Sequence, residues 1–121
     1  MKTIAVVEDN ADNRLLLQAL LEDRYRIAEY EDGLAALRGL REDRCDLVLL
    51  DISLPGMDGM EVLREIRADE GLRDLPVIAL TAHAMAGDRE RFLATGFDDY
   101  ITKPILDEEF LLETIERYLR G

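Results

Sequence analysis

Residues 46–51 read DLVLLD, which is a run of four apolar residues between two aspartates. The run is too short for a globular helix, and its unbroken apolar character is typical of a parallel strand that is buried on both faces. Two further runs have the same form, TIAVVE at Thr3–Glu8 and LPVIALT at Leu75–Thr81. These three segments predict the centre of a parallel sheet.

Two weaker strand candidates, rich in aromatic and β-branched residues, are Tyr25–Tyr30 and Phe97–Thr102. Apolar residues recur at helical spacing between the strands. In the first such segment the row is Leu16, Ala19, Leu20 and Asp23, apolar until its end, and Leu17 and Leu21 widen it. The predicted helices are Asp12–Asp23, Gly33–Glu42, Met60–Ala68, Ala84–Thr95 and Asp107–Leu119. Regular alternation of strand and helix predicts an α/β fold, in which a doubly wound parallel sheet carries helices on both faces.

The composition is that of one soluble globular domain. The 121 residues are 48% apolar and 35% charged, and no stretch resembles a linker, so residues 1–121 are expected to form one domain without an output domain. A formal net charge of -12 disfavours direct binding to nucleic acid. Cys45 is the only cysteine, and no long apolar segment suggests a signal peptide or membrane span, so we expect a cytoplasmic protein.

Polar side chains end four of the five predicted strands. Glu8 and Asp9 follow the first strand, Asp51 the third and Thr81 the fourth, and Lys103 comes just after the fifth. The carboxyl ends of parallel strands share one edge of the sheet, and this is where such sheets bind ligands. Each residue alone has an ordinary explanation, such as capping a helix, opening a turn or filling a β-branched position in a strand. Their convergence favours a functional site.

Three carboxylates brought close together repel one another and require positive charge. Hard carboxylate oxygens suit Mg²⁺, which prefers to share its coordination shell with a phosphate. Lys103 adds a cation that can neutralise a phosphoryl oxygen, and the hydroxyl of Thr81 can donate to another. Asp51 is then the candidate nucleophile, because carboxylates can form aspartyl phosphates.

Four ordered motifs carry a family resemblance: EDN at 8–10, DISLPGMDG at 51–59, TAHAMAGD at 81–88 and DDYITKPI at 98–105. In this order they resemble the response-regulator receiver domains of two-component signalling, and the resemblance covers nearly the whole chain. It points to the stand-alone, single-domain type. The implied fold is flavodoxin-like, (βα)5, with strand order 2-1-3-4-5.

The resemblance implies that a histidine kinase or a histidine phosphotransfer protein passes a phosphoryl group from its phosphohistidine to Asp51, with Mg²⁺ as cofactor. Asp9 would bind Mg²⁺ directly and Glu8 largely through water. Asp51 and the backbone carbonyl of Ser53 would complete the protein ligands. Many receivers have two aspartates where this chain has Glu8 and Asp9, and this pair is a familiar variant.

The resemblance also implies a conformational switch. The hydroxyl of Thr81 would move toward the phosphoryl group, the ring of Tyr100 would rotate inward, and the Lys103-Pro104 peptide bond would be cis. The signal would leave through the face built from the fourth helix, the fifth strand and the fifth helix, and a downstream protein would bind there. Candidate residues of this face are Met85, Phe92, Tyr100 and Phe110.

Alternative functions differ in chemistry. A phosphatase of the haloacid dehalogenase type would need a second aspartate two positions after the nucleophile, where this chain has Ser53, so we expect a self-dephosphorylating switch and no turnover enzyme. The chain could instead be a phosphorylation-independent interaction module of the same fold, or the receiver part of a longer regulator or hybrid kinase. A monomer or a phosphorylation-dependent dimer is expected.

Overall fold

One parallel sheet of five strands forms the centre of the protein. The structure, a computed structural model, describes residues 1–82, 88–105 and 107–119, with the side chain of Arg89 excepted. The strands are β1 (Thr3–Val7), β2 (Arg26–Tyr30), β3 (Leu47–Asp51), β4 (Val77–Thr81) and β5 (Asp99–Thr102). Each neighbouring pair is parallel, and the order is β2-β1-β3-β4-β5. The predicted α/β fold and its strand order are confirmed.

A helix follows each strand. The helices are α1 (Ala11–Leu21), α2 (Gly33–Glu42), α3 (Gly59–Ala68), α4 (Asp88–Thr95) and α5 (Glu108–Leu119). They agree with the predicted segments to within about two residues where the chain is described, as is usual for helix ends. The start of the predicted helix Ala84–Thr95 lies outside the described residues. None of the helices in the described part of the chain has the length and apolar character of a membrane span.

Two apolar layers cover the sheet. Alternate residues of β3 point to opposite layers: Val48 and Leu50 pack beneath α2, α3 and α4, while Leu47 and Leu49 pack against α1 and α5. All four side chains are fully buried. Burial on both faces explains why the run DLVLLD is apolar without alternation.

The buried stripe of α1 consists of the two leucines that widen the predicted row, and the row itself is less buried. Leu17 and Leu21 are buried, whereas Leu16 is 39% exposed and Ala19 is exposed, so the predicted row lies mostly toward solvent. Five of the eleven residues of α1 are leucine, and their apolar pattern therefore does not decide which side faces the sheet. Four residues before Leu17 on the same side of the helix lies the half-buried Asn13, whose side chain donates to Glu8, the residue after β1.

Cys45 behaves as a small apolar residue. It is 8% exposed and packs with the layer beneath α2 and α3. Burial raises the pKa of its thiol to about 11. A thiol that stays protonated near neutral pH is a poor nucleophile, which fits the position of Cys45 in the apolar core.

Candidate functional site

The sheet brings four of the predicted side chains to its carboxyl edge. β1 lies beside β3, β3 beside β4 and β4 beside β5, so the residues that end these strands are neighbours. Glu8 follows β1, Asp51 ends β3, Thr81 ends β4 and Lys103 follows β5. The backbone N–H of Lys103 donates to the carbonyl oxygen of Thr81 at 2.7 Å, which attaches the lysine to the end of β4.

Lys103 joins two buried carboxylates. Its Nζ donates to Glu8 Oε1 at 3.0 Å and to Asp51 Oδ2 at 2.9 Å, across 95 and 52 residues of chain. The side chains of Glu8 and Asp51 are 0% and 3% exposed, and that of Lys103 is 17% exposed. Burial is the largest single effect on the pKa of Lys103 and lowers it, but the hydrogen bonds and charges of Asp51 and Glu8 together raise that pKa above its ordinary value. Lys103 is therefore charged at neutral pH.

The loop after β3 holds Asp51 from the other side. The backbone N–H of Ser53 donates to Asp51 Oδ1 at 2.9 Å, and the N–H of Gly59 donates to the carbonyl oxygen of Ile52 at 3.0 Å. A Cβ on Gly59 would clash with the carbonyl oxygen of Asp51 and lie 2.7 Å from the Cα of Ile52. A glycine at this position thus allows α3 to begin directly against the end of β3, where Ser53 is held beside the carboxylate.

The donor set fits a hard divalent cation. Glu8, Asp9 and Asp51 each offer a carboxylate oxygen, and these oxygens lie within 4.8 Å of one another. Asp9 is exposed, and Asn10 rather than Asp9 caps α1, because Asn10 Oδ1 accepts from the N–H of Asn13 at 3.0 Å. Oxygen ligands close together on a partly open rim are what Mg²⁺ requires when it keeps several waters.

Asn13 and Arg14 are site residues that the sequence reasoning missed. Asn13 Nδ2 donates to Glu8 Oε1 at 3.0 Å. Arg14 Nη1 donates to the carbonyl oxygens of Glu8 and Asp9 at 2.8 and 3.1 Å. Their only signal in the sequence was an amide and a guanidinium in the first turn of the helix that follows the acidic pair. Such residues are ordinary on helix surfaces, so this signal is weak.

The remaining predicted residues lie around this edge. Thr81 is 7% exposed at the end of β4, and the Lys103-Pro104 peptide bond is cis. Tyr100 in β5 is half-buried, with its ring centroid 5.5 Å from that of Phe92. Phe92 itself is 3% exposed and belongs to the core.

The predicted output face has a shallow hollow of about 300 Å³. It is lined by Asp99, Tyr100, Thr102, Phe110 and Arg117. Phe110 is 48% exposed there, whereas Met85, which was also predicted for this face, lies outside the described residues. Asp99 is 7% exposed and accepts a hydrogen bond from the hydroxyl of Tyr118 at 3.0 Å, which the sequence did not predict.

The chain belongs to the response regulator receiver domain family, because the model of that family matches residues 4–116. The predicted family is confirmed. A relative over its full length is the polar-differentiation response regulator DivK of Brucella anthropi, which is 45% identical over 119 residues that cover 98% of this chain and 96% of the relative.

Receiver domains within sensor kinases are similar as well. The sensor protein GacS of Pseudomonas syringae pv. syringae is 44% identical over 110 residues, which cover 88% of this chain and only 12% of that protein. Among solved structures, the receiver domain of the sensor histidine kinase PA1611 from Pseudomonas aeruginosa PAO1 has a TM-score of 0.89 and is 40% identical, with 99% of this chain and 98% of that chain covered. That structure has a magnesium ion coordinated in its active-site cleft.

Proposed function

We propose that this protein is a phosphorylation switch in which Asp51 accepts a phosphoryl group from the phosphohistidine of a histidine kinase or histidine phosphotransfer protein. The observation that carries the proposal is the buried Asp51 carboxylate, which bonds to Lys103 and lies beside the carboxylates of Glu8 and Asp9. A carboxylate in this setting is a nucleophile surrounded by the charges that phosphoryl transfer needs.

In the proposed step, an oxygen of Asp51 attacks phosphorus and forms a new P–O bond while the P–N bond of the donor histidine breaks. The imidazole nitrogen keeps the electron pair of that bond and takes a proton from solvent. Hydrolysis by water later releases inorganic phosphate and restores the Asp51 carboxylate. The protein then returns to its starting state, and the phosphorylated state in between is the signal, as in a switch.

Asp9, Asp51 and the carbonyl of Ser53 would hold Mg²⁺ directly, and Glu8 would hold it through water. When bound, Mg²⁺ supplies positive charge to the phosphoryl oxygens during transfer. The donor set on the rim supports this assignment, since its three carboxylates converge within a few ångströms. Dependence of phosphorylation on Mg²⁺ therefore belongs to the proposal.

Lys103 would turn its ammonium from Asp51 toward a phosphoryl oxygen, and the hydroxyl of Thr81 would donate to another oxygen. Tyr100 would rotate further inward in the same transition. The ring of Tyr100 is only half-buried, with its centroid 5.5 Å from that of Phe92, and this position supports the proposal that it has room to bury further. A phosphoryl group that interacts better with one of them shifts the population of states.

We propose that the face formed by α4, β5 and α5 transmits the change to a protein partner. The hollow beside Tyr100 and the exposed ring of Phe110 support this choice. The absence of an output domain in the working protein, a cytoplasmic location, a lack of direct nucleic-acid binding and a monomer or phosphorylation-dependent dimer all stay predictions.

The test is the intact mass of the protein after incubation with Mg²⁺ and acetyl phosphate. We expect one added phosphoryl group on the wild type, none on Asp51→Asn, and none after addition of a chelator. Asp74→Asn is the matched control, because the exposed Asp74 lies before β4 at the opposite edge of the sheet. If no adduct forms and beryllium fluoride does not bind, the protein is a phosphorylation-independent interaction module instead.

A further inference from the structure

Glu8 is a buried carboxylate held by three donors. Its Oε1 accepts from Lys103 Nζ and from Asn13 Nδ2, both at 3.0 Å, and its Oε2 accepts from the N–H of Asn10 at 3.2 Å. The side chain is 0% exposed, so water compensates for a lost partner less readily than it would at an exposed carboxylate. Asn13 is the only one of these donors that belongs to a neutral side chain.

We propose that Asn13 is a positioning residue, which keeps the Glu8 carboxylate in place when Lys103 turns toward the phosphoryl group. This inference rests on the proposed function, because in that function the ammonium of Lys103 leaves its carboxylate partners and turns toward the phosphoryl group on Asp51. Asn13 would touch neither the phosphoryl group nor its donor, and would act through Glu8 alone.

The reason lies in how one ammonium is shared. In this structure Lys103 Nζ contacts Glu8 and Asp51 at once. If the charge moves toward a phosphoryl oxygen on Asp51, Glu8 loses its only charged donor among the contacts described above. A buried carboxylate without enough donors is costly, so a second donor on the same oxygen eases the release of Lys103. The amide of Asn13 is that donor.

The length of the glutamate side chain strengthens the case. A glutamate has one more rotatable bond than an aspartate, so its carboxylate has more positions to occupy unless partners select one. Asn13 and the N–H of Asn10 bond to different oxygens of the Glu8 carboxylate and together define its plane. Partners of metal-binding carboxylates commonly set affinity in this manner.

The first turn of α1 holds Asn13 firmly. The Asn10 cap accepts from the backbone N–H of Asn13 at 3.0 Å, so the helix begins at a defined residue. Arg14 Nη1 bonds to the carbonyl oxygens of Glu8 and Asp9, and Arg14 Nε lies 3.6 Å from Glu29 Oε1 on β2. The helix and the acidic pair are therefore fixed to each other, which is the support that a positioning residue needs.

The experiment compares Asn13→Ala with Asn13→Gln, which retains an amide donor, and with Gln18→Ala, which removes the other side-chain amide of α1. Mg²⁺ affinity is measured by calorimetry on the full chain, and phosphorylation by acetyl phosphate is timed at saturating Mg²⁺. We expect Asn13→Ala to weaken Mg²⁺ binding about tenfold. The phosphorylation rate should also fall. Asn13→Gln should recover part of both losses, and Gln18→Ala should match the wild type.

A double-mutant cycle separates positioning from a merely structural role. In a Glu8→Ala background, the effect of Asn13→Ala on Mg²⁺ affinity should vanish, because a residue that acts through Glu8 has nothing left to hold. Equal effects in both backgrounds, or wild-type affinity in Asn13→Ala, overturn the inference while the proposed function stands. If the wild type neither binds Mg²⁺ nor accepts a phosphoryl group, the proposed function fails and this inference fails with it.

Discussion

Two cations lie at opposite edges of the sheet, and their partners differ. Lys103 at the carboxyl edge bonds to the side chains of Glu8 and Asp51. Arg67, at the end of α3 near the amino edge, bonds to the carbonyl oxygens of Gly96, Arg73 and Leu75 and to one carboxylate, that of Asp98. Their side chains are similarly buried, 17% and 25% exposed.

The kind of partner distinguishes the two roles. Arg67 is a planar fork that joins the end of α3 to the loop before β4 and to the loop before β5. Lys103 carries a compact point charge that lies between two carboxylates. Its ammonium can turn from one of them to another anion. Burial of a cation therefore does not identify a functional site by itself. We infer that the amino edge provides stability and that the carboxyl edge provides chemistry.

The largest expected effect is that of Lys103→Met. Loss of one charged donor at a phosphoryl-transfer site should slow phosphorylation of Asp51 by acetyl phosphate by about a hundredfold to a thousandfold. The time course of intact mass measures the rate, and circular dichroism checks the fold. Arg67→Met should keep the wild-type rate at a temperature where it is folded. A rate for Lys103→Met within about tenfold of wild type would remove the contrast between the two edges.

Arg67→Met should lower the stability of the protein and leave the rate of phosphorylation unchanged. Three backbone carbonyls lose their donor, and because solvent can replace part of it at this partly exposed site, we expect the free energy of unfolding to fall by about 2–3 kcal/mol. Urea denaturation measures the change. Arg64→Met is the control, since Arg64 is an exposed arginine of the same helix. Equal midpoints for the two variants would mean that the Arg67 network does not stabilise the amino edge.

Two glycines, one at the carboxyl edge of the sheet and one near the amino edge, compare how tightly the backbone is packed at the two edges. An alanine at Gly59 would meet the backbone of Asp51 and Ile52, whereas at Gly71, near the amino edge, the nearest atom is Asp69 Oδ1 at 3.4 Å. Gly59→Ala should lower stability by about 1–3 kcal/mol and also slow phosphorylation, because the start of α3 must shift. Gly71→Ala should change stability by less than about 0.5 kcal/mol. Urea unfolding and the mass assay decide between these outcomes.

The smallest effect is expected from Arg41→Met. Arg41 Nε lies 3.1 Å from Asp69 Oδ2, but the Arg41 side chain is 49% exposed. Exposed ion pairs often contribute nothing measurable, since water and salt compete for both charges. The urea midpoint should therefore match that of the wild type at low and at high salt. A clear loss of stability at low salt only would show that exposed charges at this edge matter more than their geometry suggests.

The sequence alone determined the class of fold and predicted which strand ends meet at the candidate site. Runs such as DLVLLD are apolar throughout because both faces of a central parallel strand are covered, and this pattern is visible without coordinates. Glu8, Asp51 and Lys103 could be grouped because the carboxyl ends of parallel strands must share an edge. The motifs around them added the strand order through family resemblance.

Only the tertiary structure decided which side chains support that site. Leucines lie on several sides of α1, so the choice of Leu17 and Leu21 as its buried row depended on how the helix meets the sheet. The contacts of Asn13 and Arg67 were equally hidden, because amide and guanidinium groups are as common on solvated helix faces as in buried networks. Periodicity records burial along one element, whereas a hydrogen bond to a distant strand depends on where folding places both partners.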